Sequence, residues 1–311
     1  MIELLGDLFF DYTIRNVALG AAILGVVGGV LGSFAILRRQ GLFGDALAHA
    51  TLPGVCVAFI LSEAKVPIVL LAGAALSAGL GALLILTIVN QTRIKQDAAL
   101  GIVLSVFFGA GTVMITYIAG SGSGNQSGID RFIFGQAATI VRDDVVTMAI
   151  LASLALFIVA LLFKEFKLLS FDPAFAASLG FPVGKLNVLL TLLIVVAVII
   201  GIQAVGVVLM AAMLIIPAAA ARQWTDGLGA MVVISGLFGA SSGVFGTLIS
   251  ATGANLPTGP LIVLSATGLL VLSLILGRSQ GFLWGWLGSR RNRREALRES
   301  ASLVSQEEGT R

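Results

Sequence analysis

Long apolar runs, separated by short polar breaks, occupy most of the chain, and runs of that length have few stable homes. A helix needs about 20 apolar residues to cross the hydrocarbon of a bilayer, where the backbone must satisfy its own hydrogen bonds. The runs at 13–37, 45–62, 67–89, 98–119, 145–163, 186–203, 205–221, 228–251 and 260–277 therefore predict an all-α, polytopic membrane protein with eight or nine transmembrane helices. Composition agrees. Apolar residues make up 58% and charged residues 11% of the 311, with a mean hydropathy of +1.04, whereas a soluble domain averages about 45–50% and about 25%.

Orientation follows from the positive charges. With the N-terminus outside, fifteen of the nineteen Lys and Arg residues fall inside, including Arg38, Arg39, Arg93, Lys95, Lys164, Lys167, Lys185, Arg222 and those from Arg278 onward. Only Arg15, Lys65, Arg131 and Arg142 fall outside, so the C-terminus is expected in the cytoplasm. Glu3, Asp7 and Asp11 precede the first basic residue, which is unlike the charged start of a cleavable signal, so the first span is expected to be retained. The single cysteine, Cys56, excludes an internal disulfide and any multi-cysteine metal cage. The net charge of +3 comes largely from the tail and implies no nucleic-acid partner.

The organisation is one integral domain over residues 1–277 and a basic cytoplasmic tail over 278–311, partly disordered. In the tail, Trp284 and Trp286 suit the membrane interface and Arg290 to Arg294 suit anionic lipid headgroups. Glycines spaced by four, such as Gly28 with Gly32 and Gly239 with Gly243, predict faces of close helix contact.

One pair of side chains carries metal chemistry. His49 is the only histidine, and it follows Asp45 by four residues, which puts carboxylate and imidazole on one helix face. An acid in a span usually faces water or a partner, and this ligand set suits a divalent transition metal. Two plainer roles stay open: Asp45 as the N-cap of the second span, and His49 as a neutral histidine bonded to a backbone carbonyl. Cys56 lies on the same face only if the helix stays regular past Pro53, and a small buried side chain is the expected role.

The cytosolic segment from Lys164 to Lys185 carries the punctuation of a short helix. Asp172 suits the N-cap, Pro173 the first turn, Gly180 the left-handed end, and Pro182 the stop. Phe175 and Leu179 then share one face, ready either to dock a partner or to pack against the chain's own helices. On the other side, 120–144 begins with a Gly/Ser turn and continues through Phe132-Ile133-Phe134-Gly135-Gln136, expected to be a surface or re-entrant helix. Enzyme signatures are lacking. The segment from Gly180 to Leu186 departs from a phosphate-binding loop in glycine spacing and in the Leu186 that replaces Ser or Thr, and one histidine cannot form an intramembrane zinc-protease pair.

The segment Leu37-Arg38-Arg39-Gln40-Gly41-Leu42-Phe43-Gly44-Asp45-Ala46-Leu47-Ala48-His49-Ala50-Thr51-Leu52-Pro53-Gly54-Val55 resembles the signature of the manganese/zinc/iron permease family of bacterial ABC importers. The likeness continues through Asp97-Ala98-Ala99-Leu100-Gly101-Ile102-Val103, Phe134-Gly135-Gln136, Ser170-Phe171-Asp172-Pro173 and Leu214-Ile215-Ile216-Pro217-Ala218-Ala219-Ala220-Ala221-Arg222, and ends near Gly277. It implies the type II ABC importer permease fold in a bacterial inner membrane. The partners implied are a cytosolic ABC ATPase, an extracytoplasmic metal-binding protein and a second permease protomer. Asp45 and His49 match the family's metal-coordinating residues. The stretch from Asp172 to Phe181, with Pro173, Phe175, Leu179 and Gly180, resembles the ATPase-coupling helix of the related vitamin B12 importer class. The transported ion is expected to be manganese, with zinc and iron close behind, and no resident cofactor is implied. A secondary carrier would need further coupling-ion acids within its spans, where Asp45 stands alone, and a structural membrane subunit would need no metal pair.

Overall fold

The computed structural model describes residues 11–62, 67–120, 140–253 and 256–277. The tail from 278, Glu3, Asp7, Lys65, Arg131 and the Phe132–Gln136 stretch lie outside the described residues. Within them the chain forms helices and no strand: α1 (Tyr12–Leu37), α2 (Phe43–Ser62), α3 (Pro67–Gln91), α4 (Gln96–Gly120), α5 (Arg142–Leu161), α6 (Phe163–Phe171), α7 (Pro173–Ser178), α8 (Val183–Val205), α9 (Val207–Arg222), α10 (Leu228–Ala251) and α11 (Thr258–Leu276). Eight of these are long and apolar enough to cross a membrane, so the chain is a multi-pass membrane protein. The ninth expected span is α9, whose 16 residues cover only about 24 Å at 1.5 Å each. Gly206 separates it from α8 by adopting φ 82°, a left-handed conformation that glycine takes without steric cost.

Glycine decides which helices touch. A Cβ on Gly25 of α1 would stand 2.1 Å from the carbonyl oxygen of Gly239 on α10, and one on Gly32 would stand 1.8 Å from that of Leu214 on α9. Backbones this close gain dispersion contacts that lipid cannot supply, which is why small residues mark interfaces in a bilayer. Ser235 Oγ donates to the Gly29 carbonyl at 2.7 Å and ties α10 to α1 a second time. The packing faces expected around Gly28, Gly32, Gly239 and Gly243 are thus contact surfaces of α1 with α9 and α10.

After α5 the chain does not pass directly into a loop. Phe163 and Phe166 of α6 meet Phe34 of α1 edge-on, with centroids 6.3 and 6.0 Å apart. This aromatic anchor fixes α6 against the membrane domain and presents α7 beyond it.

Candidate functional site

The turn before α2 is built on the end of α1. Gln40 N–H donates to Ala35 O at 2.8 Å and Arg39 N–H to Ile36 O at 2.9 Å. These are the two bonds of a Schellman cap, and they require a left-handed residue between them. Arg39 fills that position at φ 56°, the only non-glycine with positive φ among the described residues. Phe43 N–H then bonds Gln40 O at 3.0 Å, and α2 begins.

Asp45 is the third residue of α2, and its carboxylate makes no capping bond among the described residues. Its Oδ1 instead lies 3.5 Å from His49 Nε2. The two side chains are partly open, 35% exposed for Asp45 and 20% for His49. The imidazole stands edge-on to Phe108 of α4, with centroids 4.9 Å apart at 78°. His49 Nδ1 is buried without a hydrogen-bond partner, so the alternative of a histidine satisfied by a backbone carbonyl is not what forms. Buried polar nitrogens are almost always paired, and an unpaired one calls for an explanation.

Pro53 follows His49 by four residues and lies inside α2, which nonetheless runs on to Ser62. Proline has no N–H, so the His49 carbonyl loses its helical partner. Neighbouring carbonyls are held by side chains: Thr51 Oγ1 donates to Ala48 O and Ser77 Oγ of α3 donates to Ala50 O, each at 2.6 Å. The open face of α2 continues from Asp45 and His49 through Pro53, Val57 and Leu61 at four-residue spacing. From Pro53 onward that face lines an apolar groove of about 550 Å³ shared with α3. Cys56 turns away, buried with its Sγ 3.9 Å from Gly111 O on α4. Among the described residues no three His, Cys, Asp or Glu side chains cluster, and here Asp45 and His49 stand as a pair. The sequence reading missed Phe108 and Ser77. The motif at Asp97–Val103 marks the start of α4, but neither contact has a local signal.

The expected short helix is present as α7. Asp172 Oδ1 accepts the Phe175 N–H at 2.9 Å and Pro173 occupies the first turn. Gly180 takes φ 85°, with Phe181 N–H bonding Ala176 O at 3.2 Å and Gly180 N–H bonding Ala177 O at 3.0 Å. Ala176 is buried, while Phe175 is 51% and Leu179 55% exposed. The helix is anchored by its small side and presents its large apolar side. Pro182 precedes the first residue of α8, so the stop falls at Gly180.

The ABC 3 transport family matches this chain over residues 10–277. The manganese transport system membrane protein MntC of Bacillus subtilis (strain 168) is 49% identical over 289 residues, 93% of this chain and 66% of that protein, so this chain spans just under two thirds of its length. The zinc transport system membrane protein TroC of Treponema pallidum (strain Nichols) is 47% identical over 293 residues, 94% of this chain and 97% of that one. Among solved structures, PsaBC from Streptococcus pneumoniae in complex with Fab superimposes with a TM-score of 0.78 at 31% identity, covering 91% of this chain and 99% of that one.

Proposed function

We propose, from the premise that this chain belongs to the ABC 3 transport family, that it is the permease subunit of a bacterial inner-membrane importer for a divalent transition-metal ion. In this reading two protomers line the path, a separate cytosolic ATPase supplies the energy, and an extracytoplasmic binding protein delivers the ion. Residues 1–277 form the permease and 278–311 a cytoplasmic tail. The observation that carries it is the Asp45–His49 pair, a carboxylate and an imidazole 3.5 Å apart on the open face of a membrane helix. Two such pairs across a dimer axis give four oxygen and nitrogen ligands, a set that manganese, iron and zinc accept. The freed His49 carbonyl lies one turn before the Pro53 groove and adds an oxygen on the same segment.

Mixed oxygen and nitrogen donors suit manganese, though by affinity alone zinc binds such a set more tightly. The relatives named for manganese and for zinc point both ways. His49→Ala and Asp45→Ala are each expected to abolish metal uptake in cells while the chain still folds and co-purifies with its ATPase. Wild-type accumulation in either variant rules the pair out as the ion's site. Competition among the three ions for uptake sets their order, and uptake of zinc alone would overturn the choice of manganese.

A further inference from the structure

A second polar site lies where α1, α3, α4 and α8 end on the charge-defined cytosolic side. There a cavity of about 260 Å³ is lined by one guanidinium, Arg38, and by four carboxamides, Gln40, Asn90, Gln96 and Asn187. No carboxylate lines it among the described residues. Arg38 Nη2 donates to Asn187 Oδ1, while Nη1 is buried with no partner. Gln40 is 5% exposed, and its Oε1 is also buried without a partner. Burial pushes the Arg38 guanidinium below its usual range. A partly buried charge without a counter-charge is costly, and an anion seated beside it offsets part of that cost.

The surroundings favour the same charge. Arg93 and Lys95 stand on the short turn between Asn90 and Gln96, and Lys185 precedes Asn187 by two residues, all three exposed. Against them stand the exposed Asp97 at the start of α4, the exposed Asp172 beside the wall residue Pro173, and Glu165 of α6, one turn before the wall residue Leu169, whose Oε2 is buried without a partner. Basic pockets between helix ends on this side of a membrane suit lipid headgroups.

We propose that this cavity binds a phosphate group, presented by an inner-leaflet phospholipid or as free inorganic phosphate, with Arg38 as its charged ligand. Guanidinium and carboxamide N–H groups are donors, and they suit the charged acceptor oxygens of a phosphate group. Asn187, whose oxygen is taken by Arg38, keeps its NH2 group for the ligand, and rotation of the Gln40 amide exchanges its oxygen for a second donor. Pro173 of α7 forms part of the wall, so the occupant ties the turn before Asp45 to α7. The binding claim does not depend on the metal reading.

The test uses the full chain in neutral detergent and reads thermal stability and, by native mass spectrometry, retained lipid. One arm compares sodium phosphate with sodium chloride at equal ionic strength; the other compares phosphatidylglycerol with phosphatidylcholine. A saturable rise of about 5 °C is expected at about a hundredfold excess over the dissociation constant. A rise with phosphate identifies a site for the free anion, and a rise with phosphatidylglycerol alone identifies a headgroup site. Arg38→Met should abolish the rise and Arg39→Met should keep it. If Arg38→Met fails to fold, Gln96→Leu decides, with the half-saturating concentration expected to increase about fivefold or more. No rise in either arm, a rise that survives Arg38→Met, or unchanged half-saturation in Gln96→Leu overturns the proposal.

Discussion

α1 and α4 are nearly equal in length, at 26 and 25 residues, and similarly apolar, yet 72% of the α1 span is buried and only 22% of the α4 span. Hydropathy does not separate them, because lipid tails and a protein interior reward apolar side chains alike. Small residues do separate them, once their surroundings are known. Gly25 and Gly32 of α1 have another backbone where a Cβ would go, whereas Gly101 and Gly109 of α4 have nothing within 4 Å. One helix has spent its small residues on contacts inside the chain. The other presents Gly101, Ser105, Gly109 and Thr112 on an open face, beside the Phe108 that touches His49.

Substitution at the two kinds of glycine breaks or sustains that contrast most sharply. In Gly25→Ala the new methyl meets a carbonyl oxygen at 2.1 Å, and since neither backbone can yield alone the helices must separate, at a cost of about 3 kcal/mol or more. Gly109→Ala meets nothing within 4 Å and should gain up to about 1 kcal/mol from helix propensity. Unfolding of the detergent-solubilised chain by increasing SDS measures both. Equal destabilisation would show that α4 is packed as α1 is.

α7 offers the same contrast within six residues, for Ala176 is buried and Phe175 faces out. Phe175→Asp should therefore leave the thermal stability of the isolated chain unchanged while the proposed cytosolic ATPase no longer co-purifies. ATP-driven uptake at the wild-type level in this variant would reduce α7 to a connector. A smaller effect separates Ser77, whose buried Oγ bonds Ala50 O, from Ser105, which is exposed on α4. Ser77→Ala should cost about 1 kcal/mol and Ser105→Ala nothing measurable by the same unfolding assay.

What could be read from sequence was local. The spans end where charges and prolines stop apolar runs, so expected and observed helices nearly coincide, and the caps of α7 were legible because Asp172, Pro173 and Gly180 each act on backbone groups within about one turn of themselves. The Asp45–His49 pair was legible for the same reason, being set by helical spacing alone. α6 was not, because its helix rests on Phe163 and Phe166 finding Phe34 about 130 positions earlier in the chain, and nothing in the charged run around Lys164 signals that contact. Phe108 against His49 was hidden likewise, since α4 presents many apolar residues and sequence does not say which one meets α2. The α9 boundary fell at Gly206 because a glycine within an apolar run reads equally as packing or as a break.

The left-handed residue before α2 shows the same limit and supplies the smallest effect. α1 and α7 end in the same two-bond cap, with Gly180 at φ 85° in one and Arg39 at φ 56° in the other. Nothing in the sequence marks Arg39 for that role, because only the backbone bonds to Ala35 and Ile36 reveal where α1 stops. A side chain in this conformation costs about 1–2 kcal/mol from its Cβ, part of which glycine loses again through the entropy of the unfolded chain. Arg39→Gly should thus stabilise the chain by about 0.5–1 kcal/mol, whereas Gly180→Ala should destabilise it by about 1 kcal/mol. Thermal unfolding of both variants in one detergent measures the opposite signs, and a loss of stability in Arg39→Gly would mean that the arginine side chain contributes more than its backbone strain costs.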